Sequence, residues 1–162
     1  MRKAYLVKAK LDGADLTHAN LSYAVLNRGS LIGVTAYRTS FAHASLTFAN
    51  LYTADLRESN FDYASGAMAN FYSANLARSW FFRSNFMSAN FTSANLYDAR
   101  FRRANLSEAL LRSANLTSAT VVGSNLTKAE LTSANLDDAN LAGTDMEDAK
   151  FTADSIREAY KK

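Results

Sequence analysis

Residues 89–118 read ANFTSANLYDARFRRANLSEALLRSANLTS, six consecutive five-residue units in one phase. Each opens on Ala, usually continues with Asn, and places Leu or Phe third. Working outward in both directions, every fifth residue from Leu6 to Ile156 gives 31 positions, of which 18 are Leu and 8 are Phe. Val121, Met146 and Ile156 keep the apolar character, and only Ala36 and Gly66 break it. Two residues earlier in each unit, 22 of the 31 positions are Ala, and most others are Gly, Ser or Thr. Asn or Asp lies between them in 16 units, among them Asp15, Asn20, Asp55 and Asn95. The unit is therefore Ala-(Asn/Asp)-(Leu/Phe)-X-X.

A period of five excludes the ordinary elements. In a helix of 3.6 residues per turn the Leu/Phe positions would spiral around the surface and bury no stripe. In a strand of period two, an odd step sends successive Leu to opposite faces. The heptad seam of a coiled coil fails as well. The chain must turn after each unit and bring the third residue inward again, which a stacked coil does.

Units such as ANLSY (19–23), ADLRE (54–58), ANFTS (89–93), ANLTS (114–118) and ANLDD (134–138) resemble the pentapeptide-repeat family, in phase over about residues 4 to 156. The resemblance implies an all-β protein, a right-handed quadrilateral parallel β-helix with four units per coil, so that residues 20 apart stack. The repeat region then spans about 7 to 8 coils, on the order of 36 Å at roughly 4.8 Å per coil. One column reads Leu21, Phe41, Phe61, Phe81, Phe101, Val121, Leu141, and its four consecutive Phe are expected to form an internal aromatic stack as the structural core. In another column Ala36 is small, but Val34 replaces the usual Ala two residues earlier and conserves volume. Gly66 has no such neighbour, and either an inward turn of Met68 or a local bulge is expected there.

The β-helix is assigned to residues 1–153 and a short C-terminal capping helix to 154–162. Ser155 and Glu158 read as a capping box, and Ile156, Ala159 and Tyr160 share one helical face. At the other end Arg2, Lys3 and Lys8 protect the first edge by charge.

The absence of Pro and Cys fits an uninterrupted backbone ladder held by packing, and it excludes disulfides, thiolate metal sites and cysteine nucleophiles. The opening MRKAYLVKAK has no apolar run of signal-peptide length, and no stretch reaches the ~18 apolar residues of a membrane span. A cytoplasmic protein without membrane association is expected.

The inventory for chemistry is thin. His18 and His43 lie one coil and one face apart and read as solvated side chains. Many Ser and Thr occupy X positions, with no His or Lys in register to activate them. The acidic pairs Asp137-Asp138 and Glu147-Asp148 lack the further oxygen ligands of a calcium loop, and no Gly-rich phosphate loop is present. A filled interior leaves no pocket. No catalytic residue, metal or cofactor is expected, and the repeated Asn reads as a supplier of local side-chain hydrogen bonds.

The X positions carry the individuality. Segment 78–112 holds six Arg against Asp98 and Glu108, whereas segment 121–150 holds two Lys against six acids. Trp80, the only Trp, replaces the usual Asn/Asp, and Phe82 takes an outward position expected to be exposed beside it. The candidate interaction surface comprises Trp80, Phe82, Arg83, Arg100, Arg102 and Arg103, with Tyr63 below and Arg78 at the shared edge. Trp, Phe, Tyr and Arg are the side chains that dominate protein interfaces. A non-enzymatic protein-interaction rod with an unidentified protein partner is therefore expected, as a monomer or an end-to-end dimer. Direct nucleic-acid binding through the same Arg/aromatic patch is the second reading. The resemblance also suggests a third, since some pentapeptide-repeat proteins that act on DNA gyrase mimic DNA by shape and negative charge; the +3 charge of this chain opposes it.

Overall fold

The computed structural model describes residues 1–152, 155 and 159. The chain winds into a right-handed quadrilateral β-helix in which each residue at the Asn/Asp position forms a parallel bridge with the residue 20 further on, from Tyr5↔Val25 to Asn125↔Asp145. Pairing widens to two residues only near the C-terminal end, where β1 (Glu130–Leu131) runs parallel to β2 (Lys150–Phe151).

One turn per unit makes the square section. The N–H following the second X donates to the carbonyl of the Leu/Phe three residues back, as Ala74 does to Phe71 at 3.0 Å. The second X residue has positive φ in every unit from Lys3 to Asp148, Gly13, Gly33, Gly123 and Gly143 being the only glycines among them. Side chains as large as Tyr63, Arg83 and Phe48 are therefore held in a region that glycine occupies without strain.

Three N–H groups per unit bond to neighbouring coils: Phe61 to Trp80 O at 2.7 Å, Tyr63 to Phe82 O at 2.8 Å, and Asn60 back to Thr39 O at 3.0 Å. That leaves the N–H of the first X, and the repeated Asn/Asp supplies its acceptor. Oδ1 of Asp15, Asn70, Asn95 and Asn125 each accepts the N–H two residues on, at 2.8–3.2 Å. The amide nitrogens then join one coil to the next, as Asn95 Nδ2 donates to Asn75 Oδ1 at 3.2 Å and Asn115 Nδ2 to Asn95 Oδ1 at 3.3 Å. In a unit such as 69–73 all five backbone N–H groups thus find a partner. Ser59, which replaces Ala inside, donates its hydroxyl to Ala36 O at 2.6 Å.

The interior is one continuous apolar core built of stacked columns. Phe41, Phe61, Phe81 and Phe101 are fully buried and stack face to face, with centroids 4.9, 4.9 and 4.4 Å apart. Phe71 and Phe91 stack in a second column at 4.9 Å, and Phe86 meets Phe81 edge-on at 5.2 Å. Val34 and Ala36 are both fully buried.

At Gly66 the structure corrects the sequence reading. Met68 stays outside at 50% exposure, and the bonds of the coil continue unbroken through Gly66 N–H to Asn85 O at 2.8 Å. The space belongs to Phe86, one coil further along, whose ring occupies the place a side chain at position 66 would take. Volume is conserved over two coils instead of within one.

The capping helix expected over 154–162 lies outside the described residues except at Ser155, which is buried, and Ala159, which packs on the core.

Candidate interaction face

Residues 20 apart share a column, so the X positions form outer ladders with the spacing of the coils. On the edge that carries second-X residues, Tyr23 and His43 stack at 4.6 Å and 1°, and His43 and Tyr63 at 4.9 Å and 2°. Arg2 covers Tyr23 at 5.3 Å. The ladder then turns: Phe82 meets Tyr63 edge-on at 5.4 Å, and the Arg83 guanidinium lies over the Phe82 ring at 5.3 Å.

These contacts correct one expectation. Trp80 and Phe82 are both half-buried, not exposed side by side. Phe82 is covered by Tyr63 and by the guanidinium of Arg83, the usual fate of an outward ring beside a long cation.

Trp80 occupies the Asn/Asp position and bridges Asn60 and Arg100, so it offers no oxygen to the N–H of Phe82. Asp62, one coil below, accepts that N–H at 2.8 Å. The same device operates where Ser replaces Asn. Asp12 Oδ1 accepts from Ile32 N–H at 2.9 Å and from the Ser30 hydroxyl, and Asn27 Oδ1 from Thr47 N–H at 3.0 Å and the Ser45 hydroxyl at 2.7 Å. The Ser30 hydroxyl and the Ile32 N–H together hold the Asp12 carboxyl below its ordinary range.

Some arginines are paired with carboxylates; others, Arg2 and Arg28 over the rings of Tyr23 and Phe48 among them, are not. Arg57 is clamped by Asp55 through Nε at 2.8 Å and Nη2 at 2.7 Å, Arg38 pairs with Glu58 at 2.7 Å, and Arg112 pairs with Glu130. The Arg57 hydrogen bond holds the Asp55 carboxyl low, and Arg38 does the same for Glu58. Arg83, Arg100, Arg102 and Arg103 are exposed and have no acidic partner within ion-pair distance among the described residues. The structure thus brings these four together beside Trp80 and Phe82. It places Arg78 differently, 4.0 Å from Asp98 and lining a cavity of about 310 Å³ on the adjacent face with Tyr37, Arg57, Glu58, Ala77 and Tyr97. That cavity, and another of about 510 Å³ at the C-terminal end lined by Leu141, Thr144 and Met146, correct the expectation that the rod has no pocket; both are external.

Sequence reasoning missed a second outer feature. Phe48 and Met68 share a column at 49% and 50% exposure, with Met87 beside them at 36%. Reading the X columns at a step of 20 finds them. No helix among the described residues is long and apolar enough to cross a membrane.

The chain matches the family model for pentapeptide repeats, in eight copies, over residues 1–35, 37–65, 69–108, 94–132 and 109–148. Among solved structures, a trypsin-treated form of QnrB1, a plasmid-mediated fluoroquinolone resistance protein, is 19% identical. The match covers 91% of this chain and 82% of that one, with a TM-score of 0.66. HetL, a pentapeptide repeat protein involved in heterocyst differentiation regulation from the cyanobacterium Nostoc sp., is 29% identical over 88% of this chain and 74% of its own, with a TM-score of 0.36. A pentapeptide repeat protein from the Arabidopsis thaliana thylakoid lumen is 30% identical over 61% of this chain and 66% of its own, with a TM-score of 0.32. No curated protein matches the chain.

Proposed function

The chain belongs to the pentapeptide-repeat family, and from that premise we propose that it is a non-enzymatic, cytoplasmic rod that captures a protein partner on its outer surface. The observation that carries the reading is the cluster of four unpaired arginines, Arg83, Arg100, Arg102 and Arg103, beside half-buried Trp80 and Phe82. Elsewhere on the rod, Arg38, Arg57 and Arg112 are neutralised by carboxylates. A guanidinium left without a carboxylate is free to pair with one from outside. Tyr63 and Phe82 add an aromatic wall, and the partner surface that fits is acidic.

The test is affinity capture from source lysate by wild type and by Arg100→Glu/Arg102→Glu, with Lys8→Glu/Lys128→Glu as a charge-matched control and circular dichroism to confirm folding. The first variant loses a partner that the control retains. Identical capture by all three overturns the assignment of this face.

The same arginines favour direct nucleic-acid binding as the second reading. It requires an affinity that falls steeply with salt for single-stranded DNA or RNA. DNA mimicry needs unpaired negative charge along the rod, and the unpaired cluster on this face is positive.

A further inference from the structure

The outer ladders place side chains of adjacent coils at stacking distance, as Tyr23, His43 and Tyr63 show at 4.6 and 4.9 Å. On the face next to the arginine cluster, the first-X column reads Tyr37, Arg57, Ala77, Tyr97. Arg57 lies over the Tyr37 ring at 5.6 Å, so the ladder begins as a stack. At Ala77 it is interrupted, and Tyr97 resumes it one coil later. The gap between the Arg57 guanidinium and the Tyr97 ring is therefore two coil rises high, the height one planar group needs to stack on both sides. This gap is part of the 310 Å³ cavity.

Its floor is fixed. Arg57 is held by the two hydrogen bonds it donates to Asp55, and Tyr37 beneath it is also covered by Arg38 at 5.0 Å. Its sides are Glu58, already engaged by Arg38, and Arg78, whose Nε is 4.0 Å from Asp98 and whose side chain is 60% exposed. A cation-faced floor attracts the π-face of an aromatic ring and repels a second cation. Arg78, loosely paired, offers N–H donors to an anion at the mouth.

We propose that the Ala77 gap is a one-ring slot that takes an aromatic side chain of a protein partner, with a neighbouring carboxylate of that partner held by Arg78. This deepens the reading of the chain as a protein-interaction rod and adds a second site on the adjacent face. A nucleic-acid strand is the poorer occupant, because tracking a strand requires a row of stacking platforms and free cations. Here there is one slot, and its two nearest guanidiniums, Arg38 and Arg57, are neutralised.

The experiment is a titration of the isotope-labelled chain, followed by amide chemical shifts, with N-acetyltyrosine, N-acetyltyrosinamide, N-acetylleucine and adenosine monophosphate as probes. N-acetyltyrosine shifts the amides of residues 57, 77, 78 and 97, and N-acetylleucine does not. The neutral amide binds several-fold more weakly, and Arg78→Ala removes that difference. In Ala77→Tyr the ladder fills itself, so the shifts vanish while Tm rises; in Tyr97→Ala the slot loses its roof and the shifts vanish without that rise. Equal binding of N-acetylleucine, absence of shifts at saturating N-acetyltyrosine, or adenosine monophosphate binding ahead of it overturns the proposal. None of these measurements uses the arginine cluster, so failure of the slot and failure of the capture experiment are read separately.

Discussion

A Cβ added to Gly66 would stand 2.1 Å from Cε1 of Phe86, the residue directly above it in the same column. Gly66 is therefore complementary to Phe86. Two coils share five Phe, Phe61, Phe71, Phe81, Phe86 and Phe91, and one position must be empty for the rings to fit.

Gly66→Ala is expected to destabilise the rod by about 1–3 kcal/mol through overpacking, and Phe86→Ala by about 3–5 kcal/mol through the cavity it opens. The double replacement Gly66→Leu/Phe86→Leu restores the column found elsewhere and costs far less than its component single changes, Gly66→Leu and Phe86→Leu, added together. Urea unfolding of the four-member cycle measures this coupling; additive effects contradict the shared-volume account.

Asp62 stands in for the Asn that Trp80 displaces, accepting the N–H of Phe82 at 2.8 Å. Asp62→Ala leaves that donor unsatisfied and costs about 1–3 kcal/mol. Adding Trp80→Asn in the same chain returns a local acceptor and recovers most of the loss. Hydrogen exchange at the Phe82 amide reports the bond directly: it accelerates in the single variant and slows again in the double. An unchanged rate in Asp62→Ala sinks the explanation.

Thr53 is β-branched and sits at φ 53°. The left-handed region costs such a residue about 1–2 kcal/mol, partly offset because Gly loses more chain entropy on folding. Thr53→Gly is expected to raise stability slightly, by up to about 1 kcal/mol, whereas Thr92→Gly, outside the positive-φ positions, lowers it. Thermal melts of the two variants decide; the same sign in both argues against turn strain.

Asp55 and Glu58 have pKa values below their ordinary 3.8 and 4.5 because Arg57 and Arg38 bond their charged forms. A depressed folded pKa means that the stabilisation is complete above the unfolded value and is lost as pH falls through the folded one. Tm is thus expected to be level through neutral pH and to fall below about pH 4.5, the ordinary value of Glu58. Asp55→Asn/Glu58→Gln flattens that fall. A profile identical to wild type assigns the acid sensitivity to other carboxylates.

The period of five was enough to determine that the chain turns after every unit and returns one Leu or Phe from each to the same interior; the four-sided section is what the resemblance to the pentapeptide-repeat family adds. Stacking at a step of 20 follows from four such turns, and it makes the Phe41–Phe101 column legible before any coordinates. The same periodicity explains Asn, whose acceptor serves the single N–H that the coil-to-coil ladder leaves over. What only the tertiary structure decided is how departures from the repeat are answered. Phe86 answers Gly66 and Asp62 answers Trp80 from a neighbouring coil, 20 and 18 residues away, where local pattern gives no pairing rule. Long side chains on the outside behave likewise. Whether an arginine is neutralised, as Arg57 is, or left free, as Arg102 is, depends on which carboxylate comes within about 4 Å after the turns have set. The repeat dictates where each column stands; the charge and shape of the outer faces arise from contacts between coils.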